Sequence, residues 1–290
     1  MSKLKSLFVT PYMMATMGIA GYAVYQLIRG NADPNAYLGW TAALLTTLPF
    51  VGFLSRAMVV RDVARTSSRF PLILGLGIIG VVLAIYAFIG DPAANKLPMI
   101  LTVAGFTGFL IYDFWYSDLG RAPSKQITVG EELPSFVLED TAGNNVTSQS
   151  LASKPSLFMF YRGNWCPLCM AQVKELAATY NQLMSRGVEV ILVSPQPHDN
   201  TEQLAQKFDV PFRFLVDANN AAAQILEIVA ENGLPAGMQV LGYDSDTVFP
   251  TIILTDASGK VIFADQTDNY RVRPEPQTFI DIFDQHGVTA

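Results

Sequence analysis

The stretch Tyr161–Met170 reads YRGNWCPLCM and contains both cysteines of a chain of 290 residues. It begins at the end of a β-prone apolar run, Ser156–Tyr161, and leads into residues whose apolar side chains recur at helical spacing. Because proline suits the first turn of a helix, we predict that a helix begins near Pro167 and that Cys166 lies at its N-terminus. Unpaired backbone N–H groups and the helix dipole favour a thiolate there, the reactive form of a thiol.

The second cysteine, Cys169, lies about one helical turn beyond Cys166 and is expected to be better shielded. Two thiols in this arrangement suit a two-step exchange, in which one thiolate attacks and the other resolves the covalent intermediate. A disulfide between residues so close in sequence closes no stabilising loop. The pair is therefore interpreted as a redox-active dithiol and disulfide rather than a structural bridge.

The cysteine pair has two other possible roles. A zinc site needs two more ligands, and His198 and His286 lie 88 residues apart, next to no cysteine and at no recognised spacing. A pair of inert buried cysteines is the other alternative, but C-x-x-C between a strand and a helix favours redox chemistry. We expect no metal and no organic cofactor.

The composition indicates a membrane protein. Half of the residues are hydrophobic and only 15% are charged, and the mean hydropathy is +0.29. The net charge is -6, and no basic stripe with interleaved aromatic residues is present. A nucleic-acid partner is therefore not expected.

Four long apolar runs lie in the first 120 residues, and we predict a transmembrane helix in each, at about 6–28, 34–55, 70–90 and 97–117. The first run is longer than the apolar part of a usual signal peptide and three more follow it, so we expect it to be retained. The spans lack the residues for a proton or ion path. An anchor in membrane lipid, or a platform that docks a membrane-protein partner, is the favoured interpretation.

The basic residues are distributed unequally across the predicted spans. One side has only Arg29 and Lys96, and the other side has Lys3, Lys5, Arg56, Arg61, Arg65, Arg69, Arg121 and Lys125. The positive-inside rule then predicts that both termini and the following domain are cytoplasmic, in a bacterial inner membrane.

Glycines occur three residues apart in three of the predicted spans, at Gly18/Gly21, Gly77/Gly80 and Gly105/Gly108. Small residues at this spacing let helices approach closely. The alternative is that glycine is simply common in membrane helices.

The second part of the chain has the pattern of an α/β domain. Short β-like runs alternate with helical runs, which indicates parallel βαβ units. We predict a hairpin with a Gly-bearing turn over Thr251–Ala264, a last helix over about Pro276–Gln285 and a small hairpin within Gly130–Val146. The domains are predicted at 1–120, transmembrane, and 121–290, α/β.

Residues from about 125 to 290 resemble the thioredoxin-like superfamily, and within it the peroxiredoxin-like (AhpC/TSA, redoxin) branch. The resemblance is carried by FYRGNWCPLC (Phe160–Cys169), ILVSPQPHD (Ile191–Asp199), VFPTIILTDASGKVIF (Val248–Phe263) and NYRVRPEP (Asn269–Pro276). It implies an α/β thioredoxin-like fold, a central mixed sheet flanked by helices, preceded by an all-α transmembrane bundle of about four helices.

The resemblance also implies roles for individual residues. Cys166 would be the nucleophile, Cys169 its resolving partner, and Trp165 a shield for the site. Pro250 would be the cis-proline opposite the pair and would present the backbone of Phe249 to an extended substrate. The alternative is that Pro250 merely begins an edge strand.

Two arginines and one glycine complete the comparison with that branch. Arg162 and Arg273 are candidates for steering anions or stabilising the thiolate, but a solvated arginine is the favoured alternative for each. Typical peroxiredoxins have Thr or Ser three residues before the peroxidatic cysteine, where this chain has Gly163, and a proline where it has Met159. Peroxide reduction in the usual manner is therefore less expected than disulfide exchange.

The sequence as a whole predicts a membrane-tethered thiol–disulfide oxidoreductase, with alkyl hydroperoxide reduction as an additional antioxidant activity. Its substrate would be a disulfide or hydroperoxide, and an external reductant of thioredoxin or glutathione type would restore the dithiol. In a reducing cytoplasm the resting state would be the dithiol. The alternative function is a membrane-docked redox sensor or scaffold with little turnover.

Overall fold

The structure is a computed structural model that describes residues 3–30, 33–91, 95–208 and 210–290. The chain forms two compact units. The α/β unit comprises Met1–Ser6, Arg61–Thr66 and Leu119–Ala290, and the helical unit comprises Leu7–Val60 and Ser67–Asp118. Two short segments from the first part of the sequence thus belong to the α/β unit.

Long apolar helices precede the α/β domain. They are α1 (Lys3–Arg29), α2 (Pro34–Ser55), α3 (Pro71–Gly90) and α4 (Leu97–Ile111). Short π-helical turns extend α2 to Val60 and α4 to Tyr116. With these extensions, each helix is long and apolar enough to cross a membrane. The predicted N-terminal set of four apolar helices is confirmed.

Glycines in α3 and α4 lie at close helix contacts within the helical unit. A Cβ atom at Gly80 would lie 2.9 Å from the carbonyl oxygen of Ala42, and one at Gly105 would lie 2.7 Å from Thr47. In α1, by contrast, a Cβ at Gly18 or at the next glycine along would meet nothing within 4 Å. The glycines of α3 and α4 therefore allow close helix packing, whereas those of α1 fit the alternative that glycine is simply common in membrane helices.

The α/β unit is built on a mixed sheet. Its helices are α5 (Ser148–Leu151), α6 (Pro167–Ala178), α7 (Tyr180–Met184), α8 (His198–Ala205), α9 (Ala221–Ile225) and α10 (Pro276–Gln285). Its strands are β1 (Val137–Glu139), β2 (Asn145–Thr147), β3 (Ser156–Phe160), β4 (Glu189–Ser194), β5 (Arg213–Val216), β6 (Val229–Ala230), β7 (Thr247–Val248), β8 (Thr251–Thr255) and β9 (Val261–Asp265).

Seven of the strands form one sheet in the order β2-β1-β5-β4-β3-β8-β9, while β6 and β7 pair separately. Neighbours β3, β4 and β5 are parallel, as the βαβ pattern predicts, and β8 and β9 form the predicted antiparallel hairpin. The small hairpin β1–β2 begins later than the predicted range, at Val137, and ends one residue beyond it, at Thr147. This mixed sheet with flanking helices is the thioredoxin-like fold that the sequence predicts.

Strand β3 explains how the sheet is buried. All five of its residues are buried, which is typical of a central strand covered on both faces. Leu157 and Met159 pack into the core cluster that contains both cysteines, whereas Phe158 and Phe160 pack into a second cluster. Because successive side chains of a strand point to opposite faces, the two clusters lie on opposite sides of the sheet. The segment that follows β3 leads directly into α6.

Candidate active site

The structure places Cys166 at the N-cap of α6, immediately before Pro167. Its Sγ accepts a hydrogen bond from the backbone N–H of Cys169 at 3.4 Å. Both residues are free thiols, with Cys166 2% exposed and Cys169 fully buried. The two sulfurs thus occupy the start and the first turn of one helix, in a water-poor environment.

Arg273 provides the charged contact to the pair. Its Nη1 and Nη2 each lie 3.5 Å from Cys169 Sγ, so the guanidinium faces the sulfur with both terminal nitrogens. Nη1 also donates to Gln172 Oε1 at 2.9 Å, and Nε donates to the carbonyl of Tyr270 at 3.0 Å. Arg273 is only 6% exposed, so the alternative of a solvated arginine is wrong at this position.

The surroundings of the two thiols shift their pKa values in opposite directions. Burial raises the pKa of the Cys166 thiol, and its hydrogen bond to Cys169 and the charge there raise it further. Burial also opposes a charge on Cys169, but the hydrogen bond from Cys166 and the charge of Arg273 outweigh it and lower the pKa of Cys169 to about 5. The sequence predicts the thiolate on Cys166, whereas these opposite shifts favour it on Cys169, next to the guanidinium.

The loop before the cysteines is shaped by Gly163 and Trp165. Gly163 has a φ of +139°, a backbone conformation that side chains rarely adopt, and a Cβ there would lie 2.6 Å from the indole Nε1. Trp165 is half-buried and packs against the core cluster that contains the cysteines. The indole therefore fills the space in which a Thr or Ser side chain would begin.

Arg162 packs on the other side of this loop. Its guanidinium stacks on the Trp165 ring at 4.8 Å from the ring centroid, and it donates a hydrogen bond to the carbonyl of Gly233. Arg162 is 4% exposed, so the solvated alternative is wrong here as well. It lies near enough to the pair to oppose the rise in the pKa of Cys166.

Gln196 holds the loop and was missed by the sequence analysis. Its Oε1 accepts from the backbone N–H of Asn164 at 2.7 Å, and its Nε2 donates to the Tyr161 hydroxyl at 3.2 Å and to Thr201 Oγ1 at 3.1 Å. The side chain is buried. Only its position in the ILVSPQPHD segment could have drawn attention to it.

Gln172 was missed too, although a signal existed. It lies three residues after Cys169 on α6, and residues three apart on a helix share a face. A polar residue on the predicted apolar face needs a buried partner, and here that partner is Arg273.

Pro250 differs from the prediction. The Phe249–Pro250 peptide bond is trans, so the cis-proline assignment is wrong. The backbone of Phe249 is also fully used, because its N–H donates to the carbonyl of Ile228 at 2.8 Å and its carbonyl accepts from Thr251 Oγ1 at 2.9 Å. These bonds hold the segment in the unit and use the backbone N–H of Phe249 within the fold.

Pro250 nevertheless lies near residues of the candidate site. Pro250 directly precedes β8, which pairs with β3 and β9, so the edge-strand alternative is wrong as well. It lines a small cleft together with Gln172 and Arg273. The buried Phe249 ring lies under the guanidinium of Arg121, at 5.0 Å.

The two histidines are engaged elsewhere. His198 begins α8, and its Nε2 lies 2.8 Å from Glu139 Oε2. His286 follows α10, and its Nδ1 lies 2.9 Å from the carbonyl oxygen of Ile282.

The fold and the paired thiols define the class, a thioredoxin-like oxidoreductase. The AhpC/TSA family profile matches residues 129–264, which lie within the α/β unit. Thiol-disulfide oxidoreductase ResA of Bacillus cereus is 24% identical over 171 residues, covering 58% of this chain and 83% of that protein. ResA of Bacillus subtilis is 26% identical over 165 residues, covering 57% and 79%. The predicted recognition of the branch is confirmed.

Solved peroxiredoxin-type structures are also similar to this chain. Peroxidoxin BcpB from Mycobacterium tuberculosis has a TM-score of 0.46 and 15% identity, covering 55% of this chain and 97% of that one. A peroxiredoxin-like protein from Aquifex aeolicus has a TM-score of 0.46 and 13% identity, covering 56% and 90%.

Proposed function

We propose that this protein is a membrane-tethered thiol–disulfide oxidoreductase whose dithiol, Cys166 and Cys169, reduces a disulfide substrate. The observation that carries the proposal is the pair of buried free thiols at the N-terminus of α6, with the guanidinium of Arg273 facing Cys169 Sγ. The sulfur that attacks must be a thiolate in each of the two exchange steps. The pKa shifts of this pair favour a thiolate on one sulfur and a protonated thiol on the other.

The proposed cycle follows from that arrangement. Cys166 passes its proton to the Cys169 thiolate and attacks one sulfur of the substrate, forming a mixed disulfide and releasing the first substrate thiolate, which takes the proton from Cys169. The Cys169 thiolate then attacks Cys166 Sγ, forming the intramolecular disulfide and releasing the second thiolate, which solvent protonates. Two electrons pass to the substrate, and an external thiol of thioredoxin or glutathione type restores the dithiol.

Cys166 is assigned as the nucleophile because of its place on α6. The N–H groups of the first turn stabilise a charge that forms on its sulfur during attack. Cys169 lies deeper in the helix and is fully buried, which suits attack on Cys166 rather than on an outside molecule.

Hydroperoxide reduction is the second candidate activity. The AhpC/TSA match and a guanidinium beside a thiolate favour it. Gly163 counts against it, because the Trp165 indole occupies the space where a peroxide-binding hydroxyl would start. We therefore rank disulfide exchange first.

The test is steady-state turnover of the purified full chain with a protein disulfide, hydrogen peroxide and an alkyl hydroperoxide, each with a thioredoxin-type or a glutathione-type reductant. We expect repeated turnover of the protein disulfide and slow consumption of both peroxides. Fast peroxide turnover would make the hydroperoxide reductase the main function. Less than one cycle with every substrate would favour the alternative, a membrane-docked sensor or scaffold.

The location of the domain is part of the proposal. The excess of basic residues on one side of the spans supports a cytoplasmic α/β unit with the four helices as an anchor, and the bundle offers a surface for a membrane-protein partner. A reporter fused to the C-terminus, active only in the cytoplasm, is expected to be active. A reporter active only outside the cytoplasm would overturn this topology and make reduction of exported proteins the natural role.

A further inference from the structure

We propose that Gln172 is a positioning residue that holds the Arg273 guanidinium against Cys169 and thereby sets the rate of the resolving step. The inference rests on the proposed function, because that step belongs to the disulfide exchange described above. Gln172 is 3% exposed, and its Oε1 accepts from Arg273 Nη1 at 2.9 Å. The nitrogen that Gln172 holds is one of the two that face the sulfur.

The contacts of Arg273 show why a second support matters. An arginine side chain can rotate about several bonds, so a single anchor leaves its planar end free to turn. Nε is anchored on the Tyr270 carbonyl, near the base of the guanidinium. Gln172 anchors the far end, and the two acceptors together fix the plane that faces Cys169.

The chemistry of the amide suits this position better than a carboxylate would. A glutamate would also accept from Arg273, but its negative charge would compete with the thiolate for the guanidinium and repel it. A neutral oxygen orients the cation without neutralising it. With glutamine at position 172, the positive charge of Arg273 remains available to stabilise the Cys169 sulfur.

The other groups that face the pair do not replace this contact. The Cys166 thiol donates to Cys169, the backbone of Arg162 also stabilises a charge there, and the Tyr161 hydroxyl stays neutral because burial and the adjacent charge raise its pKa. Arg273 is the only one of these whose side chain places a full positive charge on the Cys169 sulfur. Displacing it should therefore make the Cys169 thiolate less available.

The experiment is a single-turnover reaction of the full chain with an aromatic disulfide that releases one coloured thiolate at each step. The first release reports attack by Cys166, and the second reports resolution by Cys169. In Gln172→Met, which keeps the length but removes the acceptor, we expect the second release to slow about tenfold at pH 6. Gln172→Glu is expected to slow it as well.

A double-mutant cycle separates positioning from a general structural role. If Gln172 acts through Arg273, Gln172→Met will have no further effect in an Arg273→Met background. The matched control is Gln182→Met, on the exposed face of α7, which should leave both releases unchanged. Should Gln172→Met fail to fold, Gln172→Asn, whose shorter amide loses the contact, takes its place.

The outcomes distinguish this inference from the proposed function. A second release at the wild-type rate in Gln172→Met, or the same slowing in the Arg273→Met background, would overturn the role of Gln172. A wild-type protein that shows no second release would instead overturn the resolving role of Cys169, and with it the proposed cycle.

Discussion

Cys166 and Cys169 are three residues apart at the start of one helix and almost equally buried, yet their surroundings shift the pKa values of their thiols in opposite directions. Cys166 receives a backbone N–H at the helix terminus, which is a local feature of the chain. Cys169 receives a whole guanidinium from Arg273, which lies 104 residues later in the sequence. The hydrogen bond between the two thiols and the charge of Arg273 both lower the pKa of Cys169, so a residue brought in by the fold changes what the helix end alone would favour.

The sharpest way to break the comparison is to remove each sulfur in turn. Cys166→Ser should reduce turnover of a protein disulfide by at least about a thousandfold, because a hydroxyl at this position does not form a comparable nucleophile. Cys169→Ser should also stop multiple turnover, but it should still release the first substrate thiolate. Single- and multiple-turnover assays of both variants check this, and full activity of Cys166→Ser would contradict it.

Removing the distant charge tests what makes the two environments different. In Arg273→Met the thiolate on Cys169 loses its cation, so its pKa should rise from about 5 toward that of an ordinary thiol. The ultraviolet absorbance of the thiolate, followed during a pH titration of the reduced full chain, measures the midpoint. At a pH between the midpoint of the wild type and that of the variant, Cys169 is ionised in the wild type and protonated in Arg273→Met. The resolving step of the variant should therefore slow as the pH falls. An unchanged midpoint would show that Arg273 does not set the ionisation.

The loop on the Cys166 side can be tested at Gly163. Gly163→Thr would put a side chain on a backbone with φ of +139° and against the Trp165 indole, at a cost of about 1–3 kcal/mol for the backbone alone. We expect a lower melting temperature and no gain of peroxide turnover. Adding Trp165→Ala should relieve the contact but not the backbone strain. A stable Gly163→Thr variant with fast peroxide turnover would contradict the role given to this loop.

The smallest expected effects concern the helical unit, where a closely packed glycine of α3 is compared with an unpacked glycine of α1. Gly80→Ala would place a methyl group 2.9 Å from a backbone carbonyl oxygen, so it should destabilise the unit by about 1–3 kcal/mol. Gly18→Ala meets nothing within 4 Å and should be close to neutral. Thermal unfolding of both variants in the same detergent checks the difference. Equal shifts would mean that close packing does not distinguish α3 from α1.

The sequence predicted what depends on local pattern. The start of α6 at Pro167, the strand Thr251–Thr255 and the last helix Pro276–Gln285 all lie where periodicity and turn residues indicate them. The fold class followed from the order of these elements. These features arise from residues close together in the chain.

The parts that were not predicted depend on contacts between distant residues. Arg273 was a candidate, but nothing in the sequence distinguishes a buried guanidinium from a solvated one until the fold brings it to Cys169. Gln196 supports the loop through hydrogen bonds that likewise exist only after folding. Pro250 was assigned by resemblance alone, and the trans bond and the internal pairing of Phe249 show the limit of that assignment.

The most direct test of the central claim is to identify the trapped mixed disulfide by mass spectrometry. The full-length Cys169→Ser variant is mixed with a protein disulfide, quenched with acid and digested. Our account predicts that the substrate is attached to Cys166, because the resolving thiolate is missing. The parallel Cys166→Ser variant should trap little substrate. The account would be contradicted if Cys166→Ser carried substrate on Cys169 while Cys169→Ser carried none on Cys166.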